Sequence, residues 1–163
     1  MIYDQFGYET PLNFRKDENT AELRITKRNI INYFLENGLK ESPKWNTAKI
    51  PKKYIKFKKH VLRGLFDTDG CLVKTNNNGT LYPRLELKIC PSPMQNQIIK
   101  ILEDYKFKFG VYQIGKGQVR IQMNGKKQLE KWKSLIGFSN EKHLTKYIFY
   151  ENKVAGGRFE LPT

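Results

Sequence analysis

The chain is poor in the residues that usually declare a metal or redox centre. Its 163 residues include two cysteines, Cys71 and Cys90, and two histidines, His60 and His143. Neither pair has zinc or redox spacing, which excludes a zinc module and a disulfide framework and points to a reducing compartment. No apolar run approaches the roughly 20 residues that a membrane-crossing helix needs, and no charged start followed by an apolar core marks a secretory signal. A soluble intracellular protein without a membrane partner is expected, in an organelle or a prokaryotic cytoplasm. Acids are scarce as well: 16 against 30 Lys and Arg, a formal charge of +14. Such an excess suits a polyanion, because phosphates neutralised by Lys and Arg release counterions, and nucleic acid is the expected class.

What is present is enough for a core. Aromatic residues make up 13% of the chain, and the apolar positions are periodic from residue 50 onward. "IPKKYIKFKKHVLRGLFDTDG" opens with a Pro turn and continues as a helix ending at Gly70. "CLVKT" reads as a short strand and "NNNG" as the turn of a hairpin. "LYPRLELKIC" alternates, with Leu81, Leu85, Leu87 and Ile89 against Tyr82, Arg84, Glu86 and Lys88. "PSP" breaks that strand, and "MQNQIIKILEDY" carries Met94, Ile98, Ile101 and Leu102 on one helical face. "KFGVYQIGKGQVRIQMN" is a second hairpin, and "GKKQLEKWKSLIGF" a helix with Leu129, Trp132, Leu135 and Ile136 that closes near Gly137. "NEKHLTKYIFYENK" reads as a last helix. The fold class expected is α+β, an αββαββα unit whose antiparallel sheet is covered on one face.

The N-terminal third repeats part of that pattern. "AELRITKRNIINYFLENGL" resembles "GQVRIQMNGKKQLEKWKSLIGF" at an offset of 99 (137 − 38), with a one-residue slip between the strands. The expected organisation is a partial N-terminal repeat or extension at 1–49, the αββαββα domain at 50–152, and a disordered tail at 153–163.

The acids at the end of "HVLRGLFDTDG" are the most informative feature. A helix C-terminus carries partial negative charge, so Asp67 and Asp69 stand where carboxylates are locally unfavourable. Val61, Gly64, Leu65 and Thr68 fall on one helical face, and the small Gly64 and Thr68 allow another helix to approach closely. Two such helices side by side would bring their terminal acids together, an arrangement that a divalent cation between them relieves.

"LRGLFDTDG", Leu62 to Gly70, resembles the motif that names the LAGLIDADG homing endonucleases. It departs at Arg63, Phe66 and Thr68, within what that motif tolerates, and the order of elements after it fits. The resemblance covers residues 50–150. It implies a hydrolase that makes a metal-dependent, staggered double-strand cut at a long DNA site, typically intron-encoded. Asp69 matches the catalytic metal-binding carboxylate, and the Thr68 carbonyl matches a backbone metal ligand, with Mg²⁺ or Mn²⁺ as the ion. Lys142 resembles the basic residue of such active sites, and Ser92 or Gln95 the polar groups that order the attacking water. Asp67 is expected to be a structural hydrogen-bonding residue of the helix end. Each strand needs one acid and this chain shows one motif, which implies a homodimer or a missing first half. A splicing maturase binding intron RNA, or a non-catalytic DNA-binding remnant, are the readings from other classes.

The alternating strands give DNA binding its physical content, since an antiparallel ribbon fits the major groove. Arg84 and Arg120 suit guanine, and Gln113, Gln118 and Gln122 suit adenine. Tyr82, Lys88 and Lys116 suit bases or phosphates, with Lys74, Thr75 and Asn77 on the first strand as weaker members and Glu86 on the same face as Tyr82 and Lys88. Alternation alone is equally the mark of any sheet covered on one side. His60 and His143 are expected as ordinary surface or packing residues, and Trp132, Phe138 and Tyr147 as core.

Overall fold

A computed structural model gives the fold for residues 2–15, 20–41, 46–77 and 80–154, with side chains described for 4–15, 21–41, 46–75 and 82–152. The chain divides into two compact units, Met1–Lys44 and Trp45–Thr163. The expected tail at 153–163 lies outside the described residues apart from the backbone of 153 and 154, and so does the Asn77 side chain.

The first unit holds α1 (Ile2–Phe6), β1 (Leu12–Arg15), β2 (Thr20–Leu23) and α2 (Arg28–Glu36). β1 and β2 form an antiparallel pair in the register Leu12↔Leu23 and Phe14↔Ala21. Ile30 of α2 is buried, and Phe6 packs edge-on against Tyr33 with ring centroids 5.1 Å apart. Leu12, Phe14 and Leu23 share one face of the hairpin and remain exposed.

The second unit runs α3 (Lys58–Asp69), β3 (Gly70–Asn77), β4 (Thr80–Ile89), α4 (Pro93–Asp104), β5 (Gly110–Ile114), β6 (Gln118–Asn124), α5 (Lys126–Leu135) and α6 (Glu141–Val154). The α+β class and the helix–hairpin–helix–hairpin–helix order are as expected, and the stretch read as a last helix is α6. The helix expected from the Pro turn onward begins later: Lys52–Phe57 is a 3₁₀ segment, and α3 starts at Lys58. Four lysines within residues 52–58 have few acids to pair with, so local propensity there is weak and the tighter turn suffices.

The four strands are antiparallel in the order β3-β4-β6-β5. Alternation sends Leu72, Leu85, Leu87, Ile89, Val119, Ile121 and Met123 to one face, where all are buried. Leu62 and Phe66 of α3, Ile98, Ile101 and Leu102 of α4, and Leu129, Trp132 and Ile136 near α5 complete that core. Leu135, expected inward, is exposed, because Trp132 and Ile136 already occupy the inward stripe. Arg63 of α3 donates to the Ile136 carbonyl through Nε (2.8 Å) and Nη2 (2.5 Å), placing a cation at the C-terminal end of α5. Among the described residues no helix is long and apolar enough to cross a membrane.

Candidate functional site: the end of α3 and the open sheet face

Gly70 lets α3 turn directly into β3. A Cβ there would lie 2.5 Å from the Phe66 ring and carbonyl, so only glycine permits the close approach. The two acids that precede it have different surroundings. Asp67 accepts from the Ser139 backbone N–H through Oδ2 (2.9 Å), and its carbonyl accepts from Asn140 Nδ2 (2.9 Å). Asn140 Oδ1 in turn accepts from the Lys142 N–H (3.0 Å), the bond of an N-cap residue. Asp67 therefore ties the end of α3 to the start of α6. Asn140 was missed as the cap, although an Asn just before a Glu-led helix is its usual signal.

Asp69, two residues further, is exposed, and among the described residues no hydrogen bond or ion pair engages its carboxylate. The Thr68 hydroxyl donates back to the Gly64 and Leu65 carbonyls at 3.1 Å each, so it is committed to the helix. The Thr68 carbonyl lies in the last turn, where carbonyls have no intrahelical partner. Gly64 and Thr68 are exposed, and a Cβ added at Gly64 would meet nothing within 4 Å. Val61 and Leu65, on the same stripe, are half-buried against the core edge.

Lys142 is exposed in the first turn of α6, next to the Asp67–Asn140 junction. One turn later Lys146 reaches β3, donating to the Leu72 carbonyl at 3.3 Å with the Cys71 sulfur 4.0 Å away. Lys146 is thus an ammonium beside the start of β3, 74 residues away from it in sequence. The i,i+4 spacing from Lys142 was its sequence signal. At this end of the sheet Gly70 pairs with Leu87, and β4 leaves toward Ser92 and Gln95 at the start of α4. Both are half-buried, and the Ser92 hydroxyl oxygen is buried without a hydrogen-bond partner among the described residues.

His143 sits between the two lysines with 2% of its surface exposed, against the rings of Phe66 (5.1 Å) and Phe138 (5.9 Å). It is a packing residue, as expected. Burial lowers its pKa below the usual 6.5, and Lys146 and Lys142 add to that; the nearby Asp67 and a bond to the Phe66 backbone oppose it. An unfolded histidine takes its proton near 6.5 while this one resists until lower pH, so stability is fully present above 6.5 and falls as pH drops below it. Denaturant melts between pH 7 and pH 5 should show this loss, and His143→Gln should flatten the difference in that window.

On the face away from the helices, register aligns Cys71 with Glu86, Val73 with Arg84 and Thr75 with Tyr82. Across the next pair Arg84 meets Asn124, Glu86 meets Gln122 and Lys88 meets Arg120. Tyr82 and Lys88 are exposed, Arg84, Arg120, Gln118 and Thr75 are half-buried, and Glu86 and Gln122 are buried. Lys116 is exposed in the β5–β6 turn. Gln113 departs from its expected place: it pairs with Val119 and so belongs to the helix-side face of edge strand β5. Its neighbour Tyr112 pairs with Arg120 and takes the open-face position, with the Arg120 guanidinium 5.7 Å from its ring. Sequence could not phase this strand, because Val111, on the helix side, and Ile114, on the open side, have opposite parity. Gln122 is also less available than expected, its amide donating to Asn124 Oδ1 at 2.7 Å.

Among the described residues no group of three or more His, Cys, Asp or Glu side chains could hold a metal ion. One chain offers the Asp69 carboxylate and the Thr68 carbonyl, hard oxygen donors of the kind Mg²⁺ accepts while keeping most of its waters. No protein-family model matches the chain, and no curated protein matches it.

Proposed function

We propose that the chain is a LAGLIDADG-type homing endonuclease, hydrolysing DNA phosphodiesters at a site read by its open sheet face. The observation that carries the reading is Asp69: exposed, unpaired among the described residues, and set where its own helix disfavours a carboxylate. The resemblance of Leu62–Gly70 to the family motif supplies the role, and the free Gly64–Thr68 stripe supplies a seat for a second helix. Asp69 and the Thr68 carbonyl would hold Mg²⁺ or Mn²⁺, an ion that when bound activates water and polarises the phosphodiester. Lys142 and Lys146 neutralise charge on the phosphate, and Ser92 and Gln95 hold the water in place. Arg84, Lys88 and Arg120 face duplex DNA.

The first unit is read as a second copy of half this fold. The pairs Leu12↔Leu23 and Phe14↔Ala21 correspond to Val111↔Ile121 and Gln113↔Val119, offset by 99 on the first strand and 98 on the second. Buried Ile30 corresponds to buried Leu129, and Gly38 (φ 101°) to Gly137 (φ 77°), both left-handed glycines closing a helix. The described residues of this unit include no counterpart of α3; a homodimer or a first half with its own motif would each supply the second acid, and the homodimer is the assignment put to the test.

Gly64→Leu tests that assignment. Space is open at Gly64 and leucine favours helix over glycine by about 1 kcal/mol, so the melting temperature should hold or rise. Wild type on a duplex it selects should have the mass of two chains, and the variant that of one, with cutting lost. A wild type that binds the duplex as one chain and cuts nothing favours a binding module, and preferential binding of intron RNA favours a maturase.

A further inference from the structure

The open face carries an acid where a surface for a polyanion has least use for one. Glu86 lies in β4 with Gln122 beside it on β6 and Cys71 beside it on β3, and only 7% of its surface is exposed. Its Oε1 is 2.5 Å from Arg84 Nε and 3.7 Å from Arg120 Nη1. Arg84 stands two residues before it on the same strand, and Arg120 is its diagonal neighbour on β6, so all three rise from one face. The Arg120 guanidinium is also braced by the Tyr112 ring. A carboxylate this buried is stable only with its cations in place.

We propose that Glu86 is a positioning residue that sets sequence specificity: it holds Arg84 and Arg120 for guanine and withholds them from phosphates. This rests on the duplex-binding reading above. With Nε drawn against Glu86 in a close ion contact that is not an aligned hydrogen bond, Arg84 keeps its two terminal nitrogens for the paired contact with guanine O6 and N7. A guanidinium free to swing finds phosphate oxygens instead, which carry no sequence information. The Glu86 charge also repels phosphates, so this residue adds discrimination while subtracting raw affinity. A residue that merely contacts DNA, or merely steadies the sheet, lacks that opposite sign.

The test uses the full chain and a pool of random-sequence duplexes, enriched by rounds of binding and sequenced. Glu86→Gln should bind unselected duplex several-fold tighter, with a salt dependence steeper by about one to two phosphate contacts. Its preference for guanine at one or two positions should fall about tenfold or more, while the remaining positions keep their profile. Arg84→Met should lose guanine preference at one of those positions without the gain in unselected binding. Arg84→Lys keeps the charge without the fixed fork, and it carries the test should Glu86→Gln melt early: guanine preference lost, unselected binding unchanged. A Glu86→Gln profile identical to wild type, or an equal loss of selected and unselected binding, overturns the assignment and leaves the duplex reading standing. A wild type that enriches no sequence overturns both.

Discussion

Replacing Asp69 with Asn should abolish DNA cutting while leaving the fold slightly more stable. The carboxylate has no partner within the described residues, so its removal breaks no bond. It lies in the last turn of α3, where the helix dipole disfavours negative charge by about 0.3–1 kcal/mol, and Asn relieves that. A carboxylate that holds a divalent ion against the scissile phosphate contributes several kcal/mol to the transition state, so the cutting rate should fall by at least about a thousandfold. Binding to a selected duplex should stay within about threefold. The paired outcome matters, because an acid kept for stability would give the reverse: a lower melting temperature and an unchanged rate. Thermal melts and a cleavage time course on the same preparation separate the two.

The largest effect on stability belongs to Trp132. It is 2% exposed, its ring lies 4.9 Å from that of Phe66 and 5.7 Å from that of Phe107, and Nε1 donates to the Gly137 carbonyl at 3.2 Å. Trp132→Ala opens a cavity among the helices and strips a partner from the α5 cap, a cost of about 3–5 kcal/mol. Whole domains are stable by only about 5–15 kcal/mol, so the second unit should lose a large share of its stability. Chemical denaturation should report a midpoint shift of that size, with Phe66→Ala close behind. A loss under about 1 kcal/mol would mean that the helices do not pack on the sheet as described. Because Phe66 also bounds the turn at Gly70, that core and the placement of Asp69 stand or fall together.

The order of elements in residues 58–154 was readable because each obeys its own period. Leu85, Leu87 and Ile89 alternate on a strand, while Ile98, Ile101 and Leu102 recur at helical spacing. The candidate site stood out for a different reason. Asp69 stands out because it contradicts local electrostatics, and such a conflict marks residues kept for something other than folding. Asp67 made the same conflict and turned out to be structural, bonded to Ser139 and set beside Asn140 some 70 residues away. Separation in sequence also hid the roles of Arg63, Lys146 and Glu86, whose partners Ile136, Leu72 and Arg120 lie on other elements. β5 was misphased because an edge strand is half in solvent on both faces, which leaves its pattern ambiguous.

The most direct measurement is to map the ends of a duplex selected by the full chain after incubation with Mg²⁺ or Mn²⁺. A pair of staggered breaks at fixed positions, one on each strand and absent without the divalent ion, is the predicted result. Tight, specific binding to that duplex with both strands intact in every divalent ion tried would contradict it.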